Sequence, residues 1–228
     1  MNISRGQLTV ISGVLLLGVL GCGHASQPQA PTTEATPQPT AAAPTTEPTP
    51  TPTPPANTAA EDDIWSKLRQ ADTHYYVLMR HALAPGTGDP ANFQLDDCAT
   101  QRNLSEAGRD QARRTGEAFR ENNVTVQRVL SSEWCRCLDT AELLDLGPVE
   151  RLPALNSFFQ DRSQGPERTQ QLEEFMISNR DDAGVTVLVT HFVNISAISG
   201  GGVSSGEMVV MQVNDQNQPE VVDQIEPR

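Results

Sequence analysis

The sequence predicts an α/β fold, a three-layer sandwich in which a mostly parallel sheet is flanked by helices. Three observations lead there. From residue 73 onward, short apolar runs alternate with segments of helical period, the pattern of crossover-connected strands. Two of the runs, Tyr75 to Met79 and Gly184 to Thr190 (Gly-Val-Thr-Val-Leu-Val-Thr), read as buried strands, the second being the most apolar in the chain. Residues 61–228 are long enough to bury the core of one domain and contain no internal repeat.

The chain in front of that domain reads differently. Arg5 precedes an apolar stretch, Leu8 to Leu20, that is too short and too Gly-interrupted for a comfortable membrane span. It closes in Val19-Leu20-Gly21-Cys22, which resembles a bacterial lipoprotein signal with Cys22 as the lipidated mature N-terminus. Residues 1–21 are then a signal peptide. Diacyl-type modification supplies more than one chain, enough for stable anchoring. Residues 22–60 are the lipidated cysteine and a linker; within 23–60 there are ten Pro and ten Thr with almost no aliphatic bulk. Such a segment cannot offset its conformational entropy by burial. It would reach roughly 35 Å as a coil and about 120 Å when extended. The expectation is an exported protein of the cell envelope, tethered at the periplasmic face or the cell surface.

Within the domain, Ile64, Trp65 and Leu68 have helical spacing, so Glu61 to Ala71 should be an opening helix packed on the sheet. The strand Tyr75–Met79 follows. Residues 82–102 form a long Gly-, Pro- and Asp-rich loop of a kind that is often functional. Ser105 is an N-cap, and Ala107, Ala112, Gly116 and Phe119 give the next helix a face of small residues ending at Asn122-Asn123. A strand over 124–130 leads through Ser131-Ser132 into a helix from Trp134 to Leu146, stopped by Gly147-Pro148. Pro153 marks residues 149–155 as an edge strand or a traversing loop, and Pro166 suits the first turn of a helix over 166–178. After the strand ending at Thr190, further strands are expected over 208–213 and near 220–222.

Charge and cysteine content narrow the partners. The formal net charge is −13, which disfavours nucleic acid and anionic lipid surfaces. Lys67 is the one lysine; the other cations are arginines, the better bidentate partners of phosphate and carboxylate. In an oxidising compartment Cys98, Cys135 and Cys137 should give one disulfide and one thiol. A Cys135–Cys137 ring would be very tight, so Cys98 is expected to pair with one of the two. Their spacing fits no zinc pattern.

One event recurs along the domain. The first strand ends in Arg80-His81, the second runs into Arg136, and the strand from Gly184 ends in His191. In a parallel sheet these ends share one edge, where α/β proteins place their chemistry. Arg136 also falls in the first turn of its helix, where free backbone N–H groups favour an anion. Arginines and a helix start gathered around a potential nucleophile describe a phosphoryl site.

Four segments, in order, carry a family resemblance. Val77-Leu78-Met79-Arg80-His81-Ala82 resembles the signature of the histidine phosphatase superfamily, the phosphoglycerate-mutase-like fold. Arg102-Asn103-Leu104-Ser105-Glu106-Ala107-Gly108 and its continuation resemble the opening of that family's first helix. Leu130-Ser131-Ser132 through Arg136 to Thr140-Ala141 is similar to its second arginine block, and Val187-Leu188-Val189-Thr190-His191 to its second histidine strand. The resemblance implies His81 as the nucleophile that forms a phosphohistidine. Arg80, Arg136 and His191 would hold the phosphoryl oxygens, with Arg102 and Asn194 as further substrate contacts. Arg102 matches a position of the short, phosphohistidine-phosphatase-like branch. The implied partner is a small phosphorylated substrate, with no metal and no cofactor.

The departures are specific. Ala82 stands where many members have glycine, and Phe192 follows the second histidine. The usual general-acid carboxylate is replaced by Leu155-Asn156-Ser157; Glu133, Asp161 and Asp89 are the nearest candidates, and the role stays open. Without an acid the leaving group departs unprotonated, which favours aryl, acyl or histidyl phosphates over sugar phosphates. A second class remains in view: an inactive phosphatase-fold lipoprotein that binds an envelope component or a phosphorylated ligand.

Overall fold

The computed structural model describes residues 58–228. The expected signal peptide, lipidated Cys22 and nearly all of the linker therefore lie outside the described residues. Helix α1 (Thr58–Gln70) leads into β1 (His74–Arg80), a loop with a 3-10 turn at Cys98–Thr100, and α2 (Glu106–Glu121). β2 (Arg128–Ser131), α3 (Cys135–Leu144) and β3 (Val149–Arg151) follow, then 3-10 turns at Pro153–Leu155 and Arg162–Gln164. The chain completes with α4 (Gly165–Ser178), β4 (Gly184–Thr190), α5 (Phe192–Ser199), β5 (Met208–Val213) and β6 (Pro219–Ile225).

The six strands form one sheet in the order β3-β2-β4-β1-β5-β6. β3, β2, β4 and β1 pair in parallel, and β5 runs antiparallel to both β1 and β6. The sandwich is legible residue by residue in the central strands, because successive side chains point to opposite faces. Tyr75, Val77 and Met79 join Ile64, Trp65, Leu68, Phe119 and Leu144 in one core, whereas Tyr76 and Leu78 join Leu172, Met176 and Ile195 in the other. α1, α2 and α3 cover the first face; α4 and α5 cover the second. All of β1 except Arg80 is buried, and so is all of β4, which is why both read as nearly continuous apolar runs.

Ser105 caps α2 by accepting from the Gly108 N–H. Gly108 is required for a second reason: a Cβ there would lie 2.1 Å from the Leu83 carbonyl oxygen. α2 thus crosses directly over the residues that follow His81, and Ser105 N–H and hydroxyl both donate to that same carbonyl. Gly116 meets α3 as closely: a Cβ there would lie 1.9 Å from the Leu144 carbonyl oxygen. The small-residue face runs through Gly108, Ala112 and Gly116, and Ala107 is exposed.

The structure departs from expectation elsewhere. β2 begins at Arg128, because Asn123 adopts a left-handed φ of 56° and the chain up to Gln127 only then approaches the sheet. β3 is a three-residue edge strand that Pro153 terminates in a 3-10 turn. α3 stops at Leu144, where Asp145 turns left-handed at φ 51°. α5 was not anticipated: it has eight residues, starts directly after the β4 histidine and is rich in branched residues of ambiguous period.

Candidate active site

Strand register brings the two histidines together. Arg80 pairs with Thr190 across the β1–β4 ladder, so His81 and His191 leave the sheet as neighbours, and the His81 N–H donates to the Thr190 carbonyl at 2.9 Å. Their rings lie 5.6 Å apart, centroid to centroid. β2 stops one residue earlier, and Ser132 N–H donates to Val189 O at 2.9 Å. All three ends open on a pocket of about 150 Å³. Arg80, His81, Arg102, Arg136 and His191 line it, together with the loop 86–89, Trp134 and the segment 157–160. Asn194 is buried behind it and donates to the Asn156 carbonyl at 2.9 Å.

His81 is held in one tautomer. Its Nδ1 lies 2.8 Å from the Ala82 carbonyl oxygen, an acceptor, so Nδ1 carries the proton and Nε2 keeps its lone pair. His191 sits in a complementary network: Nε2–H donates to Ser132 Oγ at 2.9 Å, and Ser132 in turn donates to Asn156 Oδ1 at 3.2 Å. This leaves His191 Nδ1 to accept from Arg136 Nη2 at 3.4 Å. The residue in the usual acid position, Asn156, therefore serves to orient the second histidine.

Arg136 is 3 % exposed and forms a two-point ion pair with Asp89, Nη1–Oδ1 2.7 Å and Nη2–Oδ2 3.2 Å. Asp89 also accepts from the Trp134 indole N–H and the Arg102 backbone N–H. Arg102 donates in turn to the Gly88 and Ala84 carbonyls. Asp89, 47 residues away in sequence, thus fixes Arg136, while the arginine side chain of residue 102 braces the loop. Among the described residues that line the pocket, Arg80 Nε and Arg136 Nε are buried donors without a hydrogen-bond partner. Buried N–H groups are rarely left so, and in an arginine-lined pocket they suit an anion.

Cys98 pairs with Cys135, closing the long loop onto the residue next to Arg136. Gln101 Oε1 adds an acceptor for the Cys135 N–H. A crosslink spanning 37 residues constrains the unfolded chain by about 4 kcal/mol. Reduction of the folded protein is expected to lower its melting temperature and weaken phosphate binding together, since the loop carries Asp89 and Arg102. Peptide mass mapping without reductant should recover the Cys98–Cys135 pair; free thiols at both positions would refute it. Cys137 remains a buried thiol, pushed up to about 12 by burial, which suits packing rather than nucleophilic attack.

Burial, then the charge of Arg136, lowers His81 to about 3 and His191 well below the ordinary imidazole range. Both are neutral at pH 7. Burial also lowers buried His74. A histidine with a depressed folded pKa binds fewer protons folded than unfolded, so stability is present above pH 6.5 and lost as pH falls toward the folded value. The melting temperature should fall steadily from pH 7 toward pH 4, and His81→Ala should flatten that slope; a melting temperature independent of pH across this window would contradict the buried neutral state.

The remaining carboxylates fit no acid role. Burial pushes the Asp89 carboxyl upward, but Arg136, the Arg102 N–H and Trp134 outweigh it and hold it below the ordinary carboxylate range. Glu133 accepts from Asn156 Nδ2 at 2.7 Å, and exposed Asp161 caps a 3-10 turn; neither lines the pocket. Among the described residues no group of three His, Cys, Asp or Glu is placed to hold a metal ion. Sequence reasoning missed the ion pairing of Asp89 and the orienting roles of Ser132 and Asn156. Ser132 lies within the Leu130-Ser131-Ser132 segment, whereas Asp89 stands out in the sequence only as a candidate acid, not as a partner of Arg136.

Fold and site together define an α/β protein with an arginine-lined anion pocket around a neutral, pre-oriented histidine. The chain belongs to the histidine phosphatase superfamily (branch 1), whose family model matches residues 76–198. Among solved structures it is similar to the product of a Mycobacterium tuberculosis open reading frame, at 16 % identity and a TM-score of 0.53, covering 68 % of this chain and 98 % of that one. It is also similar to phosphoserine phosphatase of Entamoeba histolytica in complex with 3-phosphoglyceric acid, at 13 % identity and a TM-score of 0.50, covering 66 % and 96 %. At such identity these likenesses establish the fold. No curated protein matches the sequence significantly.

Proposed function

We propose that this chain is a phosphatase that hydrolyses a phosphomonoester or phosphoramidate through a phosphohistidine on His81. The observation that carries this reading is the tautomer lock: the Ala82 carbonyl takes Nδ1–H, leaving the Nε2 lone pair at a pocket lined by three arginines. In the first step Nε2 attacks phosphorus and the bond to the leaving group breaks. Arg80 and Arg136 stabilise the charge that develops on the phosphoryl oxygens, and His191, its N–H committed to Ser132, positions Arg136 through Nδ1. Water then attacks phosphorus, releasing phosphate and restoring His81. Arg102, which lines the pocket, acts as a further substrate contact in this proposal, whereas Asn194, expected from the sequence to be one, is buried behind the pocket and holds the Asn156 segment. The proposal includes export and tethering at Cys22, supported by the apolar stretch ahead of that cysteine and by a disulfide that an oxidising compartment maintains.

With no carboxyl free to donate a proton, each unit of leaving-group pKa left unrelieved costs up to about 1.4 kcal/mol. Alkaline quench of the protein with a labelled aryl phosphate should trap base-stable, acid-labile label on the His81 peptide. Aryl phosphate should turn over at least about 100-fold faster than a hexose phosphate; comparable rates would sink the missing-acid argument. The missing acid is what favours a pure binder, since a site without a proton donor for the leaving group can hold a phosphoryl group without turning it over. Phosphate binding with no trapped label and no turnover would decide for that second reading.

A further inference from the structure

The pocket is lined by three arginines, and exposed aromatic side chains stand beside them. Among the described residues four large hydrophobic side chains are exposed: Leu83, Phe159, Phe192 and Val221. The two phenylalanines, 42 % and 44 % exposed, both border this pocket. Exposed apolar surface concentrated at one cleft marks a binding surface rather than scatter.

Both rings are held rather than loose. The Arg80 guanidinium carbon lies 5.5 Å from the centroid of Phe192, and that of Arg162 lies 5.1 Å from the centroid of Phe159. Phe159 also packs over Gly88, whose Cβ position would be 3.7 Å from its ring. Such cation–π contacts orient an aromatic side chain while leaving much of its surface to a ligand. Ser157, Gln160 and Val193, all uncharged, line the same pocket. The net charge of −13 further opposes a leaving group that carries its own anions.

We propose that Phe159 and Phe192 form the leaving-group subsite and that the phosphate is carried on an uncharged aryl ring. This deepens the phosphatase reading by naming its substrate class, and it follows from surface chemistry independent of the missing acid. Phe192 couples the two halves, because the ring that meets the leaving group also rests on Arg80, a phosphate-binding arginine of the proposal.

Calorimetric titration of the full-length protein with phosphonates tests this without turnover. Phenylphosphonate should bind about tenfold more tightly than methylphosphonate, the scale expected of one or two aromatic pairs. That preference should fall to about threefold or less in Phe159→Ala. Methylphosphonate affinity reports whether the anion site and the fold survive each substitution. Phe192→Leu, which keeps an apolar cover on Arg80, is the second variant and should erode the preference likewise. Equal affinity for the two phosphonates in the unsubstituted protein would overturn the inference, as would a preference unchanged in both variants. Tighter binding of n-hexylphosphonate than of phenylphosphonate would overturn it in favour of an alkyl chain. A phenyl preference without hydrolysis of any phosphate would support the subsite and remove the phosphatase reading instead.

Discussion

Replacing His81 by alanine is expected to lower kcat/KM for an aryl phosphate by about 10⁴-fold or more, the scale on which loss of a nucleophile acts in a covalent hydrolase. Binding of inorganic phosphate should survive within a few-fold. The reason is electrostatic: burial and the neighbouring arginines keep His81 neutral, so its removal takes no charge from the site. Arg80, Arg102 and Arg136 remain, each with its protein contacts elsewhere. His81 is 2 % exposed, so alanine leaves a hole, and a thermal melt must show that the variant is folded. His81→Asn retains a side-chain donor for the Ala82 carbonyl and guards against a packing artefact. Steady-state hydrolysis that survives either substitution would remove His81 from the mechanism; loss of phosphate binding would mean that the ring does more than attack.

Arg136→Ala should damage stability and activity together. It removes two donors to Asp89 and strands a carboxylate whose side chain is 5 % exposed. Breaking a buried pair from one side costs about 3–5 kcal/mol, most of it the uncompensated charge. The double variant Arg136→Ala/Asp89→Asn should therefore recover much of the lost stability, while hydrolysis stays down by about 10³-fold because the phosphoryl contact is gone. The pH dependence has a definite sign. Without Arg136, burial governs Asp89 and its folded pKa rises above the unfolded one. Such a carboxyl destabilises at neutral pH and less so as it protonates, so the melting-temperature deficit of the single variant, relative to the parent at the same pH, should shrink from pH 7 toward pH 4. Chemical denaturation of parent, singles and double closes the cycle; a double variant no more stable than Arg136→Ala would show that Asp89 is not the stranded charge.

Asp89 also illustrates what local pattern can carry. In the sequence it is one acidic residue in a loop of Gly, Pro and Asp, where acids are ordinarily solvated. Its meaning depends on a partner 47 positions away and on the fold of α3 that delivers Arg136 to it. The choice of Cys135 over Cys137 as partner of Cys98 is of the same kind. The two alternate along the first turn of α3, and helix geometry turns one toward the loop and the other toward β4. α5 is illegible in the sequence for a different reason, since eight residues hold too few periods to distinguish helix from strand. The two phenylalanines offered no signal at all, because exposure is a property of the assembled surface.

What the sequence determined by itself is the part governed by short-range regularities. Continuous apolar runs specified the central strands, Ser105 specified a helix start, and Arg80-His81 and His191 at strand ends marked the edge where chemistry would sit. Family membership came through those same motifs. The tertiary structure decided how the charges are used: which proton His81 keeps, which carboxylate holds Arg136, and that Asn156 orients a histidine. Backbone periodicity is written in neighbouring residues, whereas a hydrogen bond or an ion pair between distant side chains exists only once strand register and helix crossing have set their separation.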